Sequence, residues 1–149
     1  CRKYNIKCSS KWYQECPDEI RKSKCGKYEI WWDRPIETAT KLEHTSPDVV
    51  FIYKEQKFWT LIEFAVPNDK NVEDTEKEKI KRYRKLEYEI RKLYKVKTKI
   101  LPVVVGALGV VTSLLEESLK FLGMLHILNS IQVTAVISTS IILRKVLNI

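Results

Sequence analysis

Residues 47 to 66 read PDVVFIYKEQKFWTLIEFAV, and this stretch decides the class of the fold. Two runs rich in β-branched and aromatic residues, 49–53 and 58–66, are typical of buried strands. Only the charged segment KEQK separates the two runs, so the pattern predicts an antiparallel hairpin. A turn centred between Glu55 and Gln56, with either two or four residues in the loop, would place Asp48 directly opposite Glu63.

The facing carboxylates of Asp48 and Glu63 are the first candidate site. Cross-strand neighbours have Cβ atoms about 4.5–5.5 Å apart, and two carboxylates at that spacing repel one another unless a cation lies between them. Glu63 interrupts the apolar segment LIEFAV, where an unpaired buried charge is costly. Paired, partly buried oxygen ligands suit Mg²⁺ or Mn²⁺. The alternative is that the strand reaches the end of the sheet, where Glu63 meets solvent.

The order of elements in the chain is compatible with an α/β or an α+β protein. We expect the α/β class, with helices that cover a sheet of about four strands. Strand patterns occupy 27–33, 49–53, 58–66 and 100–105. A long helix is predicted over 72–94, which lacks Gly and Pro and has acidic residues in its first turn. The remaining helices are predicted over 11–24, with an interruption near Pro17, and over 112–122 and 128–147.

Length and composition predict one globular domain rather than a disordered or fibrous chain. The 149 residues are 44% hydrophobic and 31% charged, which is typical of a packed core. We expect a single domain over 1–149, with a helical lead-in (1–26), a catalytic core (27–105) and a C-terminal helical extension (106–149). Because the chain begins at Cys1 rather than Met, we expect a fragment of a longer polypeptide.

The formal charge of +8 favours an acidic partner, either nucleic acid or an anionic membrane surface. Residues 121–143 form an uncharged run of 23 residues, which is long enough to span a bilayer. That run contains eight polar side chains, a costly load in lipid. We therefore expect it to belong to a soluble core, with no membrane partner.

The four cysteines do not predict a metal site. Their spacing differs from the short pairs that bind zinc, and a chain with this apolar content does not need disulfides. We expect reduced, mostly buried thiols at Cys1, Cys8, Cys16 and Cys25.

The predicted long helix carries one stripe of residues at helical spacing: Lys79, Tyr83, Leu86, Ile90 and Leu93. Lys79 begins this stripe and could point toward the edge of the sheet that carries the carboxylates; the alternative is that its amine extends into water. For the basic residues of the opposite face we favour solvation over contact with phosphate; they are Lys77, Lys81, Arg84 and Lys92. Should this helix contact DNA, the candidates are Lys77, Lys81, Arg82, Arg84 and Lys85.

Two carboxylates, a lysine and a basic surface together favour metal-assisted phosphodiester hydrolysis. Pro47-Asp48 followed by Glu63 resembles the PD-(D/E)xK nucleases, although Ala65 stands where that motif has lysine. The chain more closely resembles the restriction-like endonuclease at the C-terminal end of non-LTR retrotransposon polyproteins. In that group the lysine lies on the following helix, in an EK-x-x-KY-type segment, which residues 78–83 (EKIKRY) match with Arg82 before the tyrosine. The segments YEIWWDRPIET, SPDVVFIY, LIEFAVPND, EDTEKEKIKRY, LPVVVGALG and IILRKVL follow the order found in such elements.

This resemblance implies a restriction-endonuclease-like core with a mixed sheet and two extra C-terminal helices. It implies a nuclease that nicks target DNA, whose exposed 3′ end the element's reverse transcriptase extends on element RNA. Asp48 and Glu63 would be the ligands of Mg²⁺ or Mn²⁺ and, with Lys79, the catalytic residues; Asp33 and Tyr83 would be accessory. The implied partners are DNA, the reverse transcriptase domain of the same polyprotein and element RNA, in the nucleus. The alternative is a catalytically silent DNA-binding or structural module of the same fold.

Overall fold

The structure, a computed structural model, describes residues 1–11, 14 and 20–149. These residues divide into two compact units. The first unit comprises Cys1–Glu63 and Arg82–Leu101, and the second comprises Phe64–Lys81 and Pro102–Ile149.

Five strands and three α-helices build the described chain, which confirms the α/β class. The strands are β1 (Ile20–Lys22), β2 (Tyr28–Trp32), β3 (Val49–Tyr53), β4 (Phe58–Ala65) and β5 (Lys97–Val104). The helices are α1 (Val72–Tyr94), α2 (Ser113–Phe121) and α3 (Leu128–Leu147).

The sheet is mixed and has the order β1-β2-β3-β4-β5. Neighbouring strands from β1 to β4 pair antiparallel with one another. Strand β5 runs parallel to β4, because the backbone N–H of Lys97 donates to the carbonyl of Lys57 and that of Val105 donates to Ala65 at the same offset. A parallel connection requires a crossover, and α1 provides it.

The hairpin has the predicted register. Val49 pairs with Ile62 and Tyr53 pairs with Phe58. The loop is the four-residue form, in which Lys57 adopts a left-handed conformation (φ 47°) and donates its N–H to the Lys54 carbonyl.

In the first unit, the apolar face of the sheet packs against the C-terminal part of α1. Side chains alternate along a strand, so β3 and β4 direct every second residue toward this core. Its buried members are Ile36, Val50, Ile52, Trp59, Leu61, Tyr83, Leu86 and Ile90. The predicted stripe on α1 is therefore confirmed at Tyr83, Leu86 and Ile90. It is wrong at Leu93, which is 43% exposed because it lies in the last turn of the helix.

The N-terminal region differs from the predicted helical lead-in. Half of the predicted helix over 11–24 lies outside the described residues, since 12–13 and 15–19 are not described. Within that range Ile20–Lys22 is a strand rather than helix, so the sheet has five strands instead of about four. Two of its three residues are charged because β1 is an edge strand with partly exposed side chains. The strand therefore lacks the apolar pattern of a core strand.

The described cysteines are free, as expected, but they are not buried. Cys1 and Cys8 are half-buried and Cys25 is exposed, because all three lie outside the strands that form the core. Cys16 lies outside the described residues.

In the second unit, polar contacts hold the loop 105–112 in place. A Cβ at Gly106 would collide with the carboxylate of Asp69, which also accepts the backbone N–H of Leu108 at 3.0 Å. Thr112 caps the N-terminus of α2 and donates its hydroxyl to the buried carboxylate of Glu76. Burial raises the pKa of Glu76 above its usual value.

Helix α3 is largely exposed, contrary to the prediction that residues 121–143 form core. Gln132 donates to the Gly109 carbonyl and Thr139 to the Ala107 carbonyl, both at 2.8 Å, and Ala135 is the one buried residue of α3. The prediction failed because α3 packs through a narrow stripe, while most of its Val, Ile and Leu side chains stay exposed. By length and composition alone, Leu125–Leu147 could cross a membrane, with a mean hydropathy of 1.5.

We expect Glu76→Gln to become increasingly stabilising as pH rises. Because the pKa of Glu76 is raised above 4.5, the folded state binds its proton more tightly, and wild-type stability falls as pH increases through the raised pKa. Glutamine cannot ionise, so the free energy of unfolding of the variant does not fall in this way as the pH rises. Urea denaturation at about pH 4 and about pH 7 measures the difference. The exposed Glu117→Gln is the control, and equal pH dependence of wild type and Glu76→Gln would contradict the expectation.

Candidate active site

Asp48 and Glu63 are neighbours across the hairpin. Asp48 directly precedes β3, and its backbone N–H donates to Oε1 of Glu63 at 3.0 Å. Glu63 is 1% exposed and Asp48 is half-buried. By strand alternation, Glu63 shares the helix-covered face with Leu61, and Asp48 shares it with Val50. The hairpin therefore carries two acidic residues on the same face as the apolar core.

Tyr83 lies over this acidic pair. Its hydroxyl donates to the carbonyl of Ser46 at 3.0 Å, and its side chain is buried. Burial, the nearby carboxylate of Glu63 and the charge of Asp48 together raise the pKa of Tyr83. The Tyr83 hydroxyl therefore stays protonated at neutral pH and can donate a hydrogen bond there.

The pair fits a magnesium site that waters and substrate would complete. Carboxylate oxygens are the ligands that Mg²⁺ prefers, and it is usually held by one or two carboxylates together with waters and phosphate oxygens. Within the described ranges, no three His, Cys, Asp or Glu residues are grouped so as to hold a metal. Two carboxylates alone would leave the other coordination positions of the ion to waters and substrate.

Asp33 is joined to the pair through the backbone. Its N–H donates to the Asp48 carbonyl at 3.0 Å, while its exposed side chain follows a left-handed backbone conformation (φ 40°). This contact continues the pairing of β2 with β3 beyond Trp32 and Val49. The structure therefore places the predicted accessory acid next to Asp48 at the end of the strands.

The predicted basic residues all lie on α1 but belong to different units. Half-buried Lys79, with the exposed Lys77 and Lys81, is in the second unit. Half-buried Arg82 and the exposed Arg84 and Lys85 are in the first unit. The first unit thus brings together Asp48, Glu63, Tyr83 and the backbone of Asp33, whereas the assignment of Lys79 comes from the sequence motif.

Sequence reasoning gave no role to Ser46 or His44. The Ser46 carbonyl receives the Tyr83 hydroxyl, and the ring of half-buried His44 lies 6.3 Å from that of Tyr83, centroid to centroid. Their only signal in the sequence was their position just before Pro47-Asp48.

No protein-family model, curated protein or solved structure matches this chain. The likeness to the retrotransposon endonucleases therefore rests on the sequence motifs quoted above.

We expect Tyr83→Phe to lower the free energy of unfolding by about 0.5–1.5 kcal/mol, because the half-buried Ser46 carbonyl loses its donor. Urea denaturation at neutral pH measures this loss. Tyr88→Phe is the matched control, since Tyr88 lies on the same helix and is 64% exposed. Equal stability of the two variants would show that the Tyr83 hydroxyl does not hold the segment before Asp48.

Proposed function

We propose that this protein is a metal-dependent DNA endonuclease that nicks target DNA by phosphodiester hydrolysis. The observation that carries the proposal is the pairing of Asp48 with the almost fully buried Glu63, beneath the Tyr83 hydroxyl. Burying a carboxylate costs free energy, and departures from the expected hydrophobic pattern concentrate at functional sites. Two parts of the proposal, DNA as the substrate and a restriction-endonuclease-like fold, rest on the resemblance to the retrotransposon enzymes.

Each residue has a distinct role in this proposal. Asp48 and Glu63 would hold Mg²⁺ or Mn²⁺, which when bound would lower the pKa of a water and stabilise charge on the phosphoryl group. The sequence motif alone assigns Lys79 its role, which would be to position the attacking water or to pair with the phosphate oxygens. Tyr83 anchors the Ser46 carbonyl and thereby fixes the segment that leads into Asp48.

The net charge of +8 supports a nucleic-acid partner. Exposed Lys77, Lys81, Arg84 and Lys85 are available to contact phosphate from α1, and Arg82 completes the proposed set. The biological step that we propose is priming of reverse transcription, with the reverse transcriptase domain of the same polyprotein and element RNA as partners in the nucleus. This part of the proposal rests on the resemblance.

The alternative function is DNA binding without cleavage by the same fold. Ala65 occupies the position that has lysine in the PD-(D/E)xK motif, and loss of cleavage would leave the basic surface intact. Nicking activity separates the two functions.

We expect nicking of supercoiled plasmid in the presence of Mg²⁺ or Mn²⁺ and its loss with EDTA. Asp48→Ala, Glu63→Gln and Lys79→Ala should each reduce the rate by about 100-fold or more, because the first two weaken binding of the metal and the third removes a cation that acts on the reacting phosphate. Glu55→Gln, in the hairpin loop, and Lys92→Ala, on α1, are matched exposed controls that should nick at the wild-type rate.

Circular dichroism of every variant verifies that the fold is retained. A folded wild type that binds DNA without nicking it would favour the silent module. Unchanged nicking by Glu63→Gln would remove Glu63 from the site.

A further inference from the structure

The first unit has a cavity away from the acidic pair of Asp48 and Glu63. Its volume is about 530 Å³, within the range of about 300–1,000 Å³ that small-molecule sites occupy. Tyr94 of this cavity and Tyr83 of the candidate site are separated by about 16 Å along α1, from a rise of about 1.5 Å per residue. The lining residues are Trp31, Arg34, Pro35, Ile36, Glu37 and Tyr94.

Aromatic rings form one wall of this cavity. The ring of buried Trp59 lies 5.1 Å from that of Trp31 and 4.7 Å from that of Tyr94, centroid to centroid. The Trp31 indole N–H donates to Glu29 at 3.1 Å, and the Tyr94 hydroxyl donates to the Glu37 carbonyl at 3.3 Å. Trp31 and Tyr94 are thus held in place, and both residues are partly exposed where they line the cavity.

Charged groups of both signs surround these rings. The guanidinium of Arg34 lies 5.6 Å from the centroid of the Trp31 ring, and Glu37 lies exposed on the rim. Partly exposed aromatic rings beside an arginine are the combination by which proteins stack unpaired bases and contact their backbone. A glutamate accepts a hydrogen bond from the exocyclic amine of cytosine.

We propose that this cavity binds an unpaired nucleobase, preferably cytosine, stacked against Trp31 and Tyr94. Arg34 contacts the adjoining phosphate, and Glu37 accepts the exocyclic amine. The inference deepens the proposed function, on which it rests for its nucleic-acid partner: the protein would hold an unpaired nucleotide at a distance from the acidic pair. Binding of a base requires no metal.

The test compares the affinity for single strands with and without bases. Anisotropy of a labelled dC12 strand and of an abasic strand of equal length is measured in EDTA at one fixed salt concentration, because phosphate contacts depend on salt. We expect wild type to bind dC12 at least about fivefold more tightly than the abasic strand, since stacking favours the strand with bases. Tyr94→Leu should remove most of this difference, and Arg34→Ala should weaken binding of both strands.

Tyr88→Leu is the matched control, because it removes an exposed tyrosine of the same helix outside the cavity. It should preserve the difference between dC12 and the abasic strand. Glu37→Gln tests the choice of base. Wild type should bind dC12 more tightly than dT12, and the variant should bind the two strands equally. Circular dichroism identifies variants that do not fold, and Tyr94→Leu serves as the primary variant because Trp31 packs against the core.

Equal affinity of wild type for dC12 and the abasic strand would overturn the proposal, as would an unchanged difference in folded Tyr94→Leu. Comparison of dC12 with rC12 identifies the source of the base, because tighter binding of rC12 assigns the cavity to RNA. Asp48→Ala should keep the full stacking difference. If wild type fails to nick DNA but still binds dC12 more tightly than the abasic strand, the proposed nuclease activity is refuted and the proposed base-binding cavity is not.

Discussion

The register of the β3–β4 hairpin is the constraint on which the rest of the structure depends. A slip of one residue would exchange the two faces of a strand, moving Leu61 out of the core and Glu63 away from the covered face. The four-residue loop and the pairing of Tyr53 with Phe58 fix that register. The apolar packing that stabilises the hairpin therefore also fixes Glu63 opposite Asp48.

The same packing explains how a carboxylate is retained in a buried strand. The Asp48 backbone N–H gives Glu63 one hydrogen-bond donor, and the Tyr83 hydroxyl lies close enough for Glu63 to raise its pKa. These polar groups share the face on which Val50, Leu61 and Leu86 form the core. The core and the candidate site therefore share one face of the sheet. Both depend on strands β3 and β4 and on helix α1 for their geometry.

The sequence was most informative where periodicity was strong. The ends of β3, α1 and α3 agree with the predicted ones, and simple pairing across the loop predicted the position of Asp48 relative to Glu63. The contact between Tyr83 and Ser46 could not be predicted, because it depends on the path of the connection from β2 to β3. Strand β1 was missed since Arg21 and Lys22 lack the apolar signature of a core strand. The exposure of α3 was missed because the absence of charge predicts hydrophobicity, whereas burial depends on which residues find a packing partner.

Binding of Mn²⁺ tests the central claim, that Asp48 and Glu63 together form a metal site, most directly. Electron paramagnetic resonance of free Mn²⁺ measures the affinity of wild type, Asp48→Asn, Glu63→Gln and the exposed control Glu55→Gln without requiring catalysis. The account predicts that wild type and Glu55→Gln bind the ion, and that each of the other two variants loses at least about tenfold in affinity, because neutral amides replace anionic ligands. Absence of binding by folded wild type, or equal affinity in all four proteins, would contradict it.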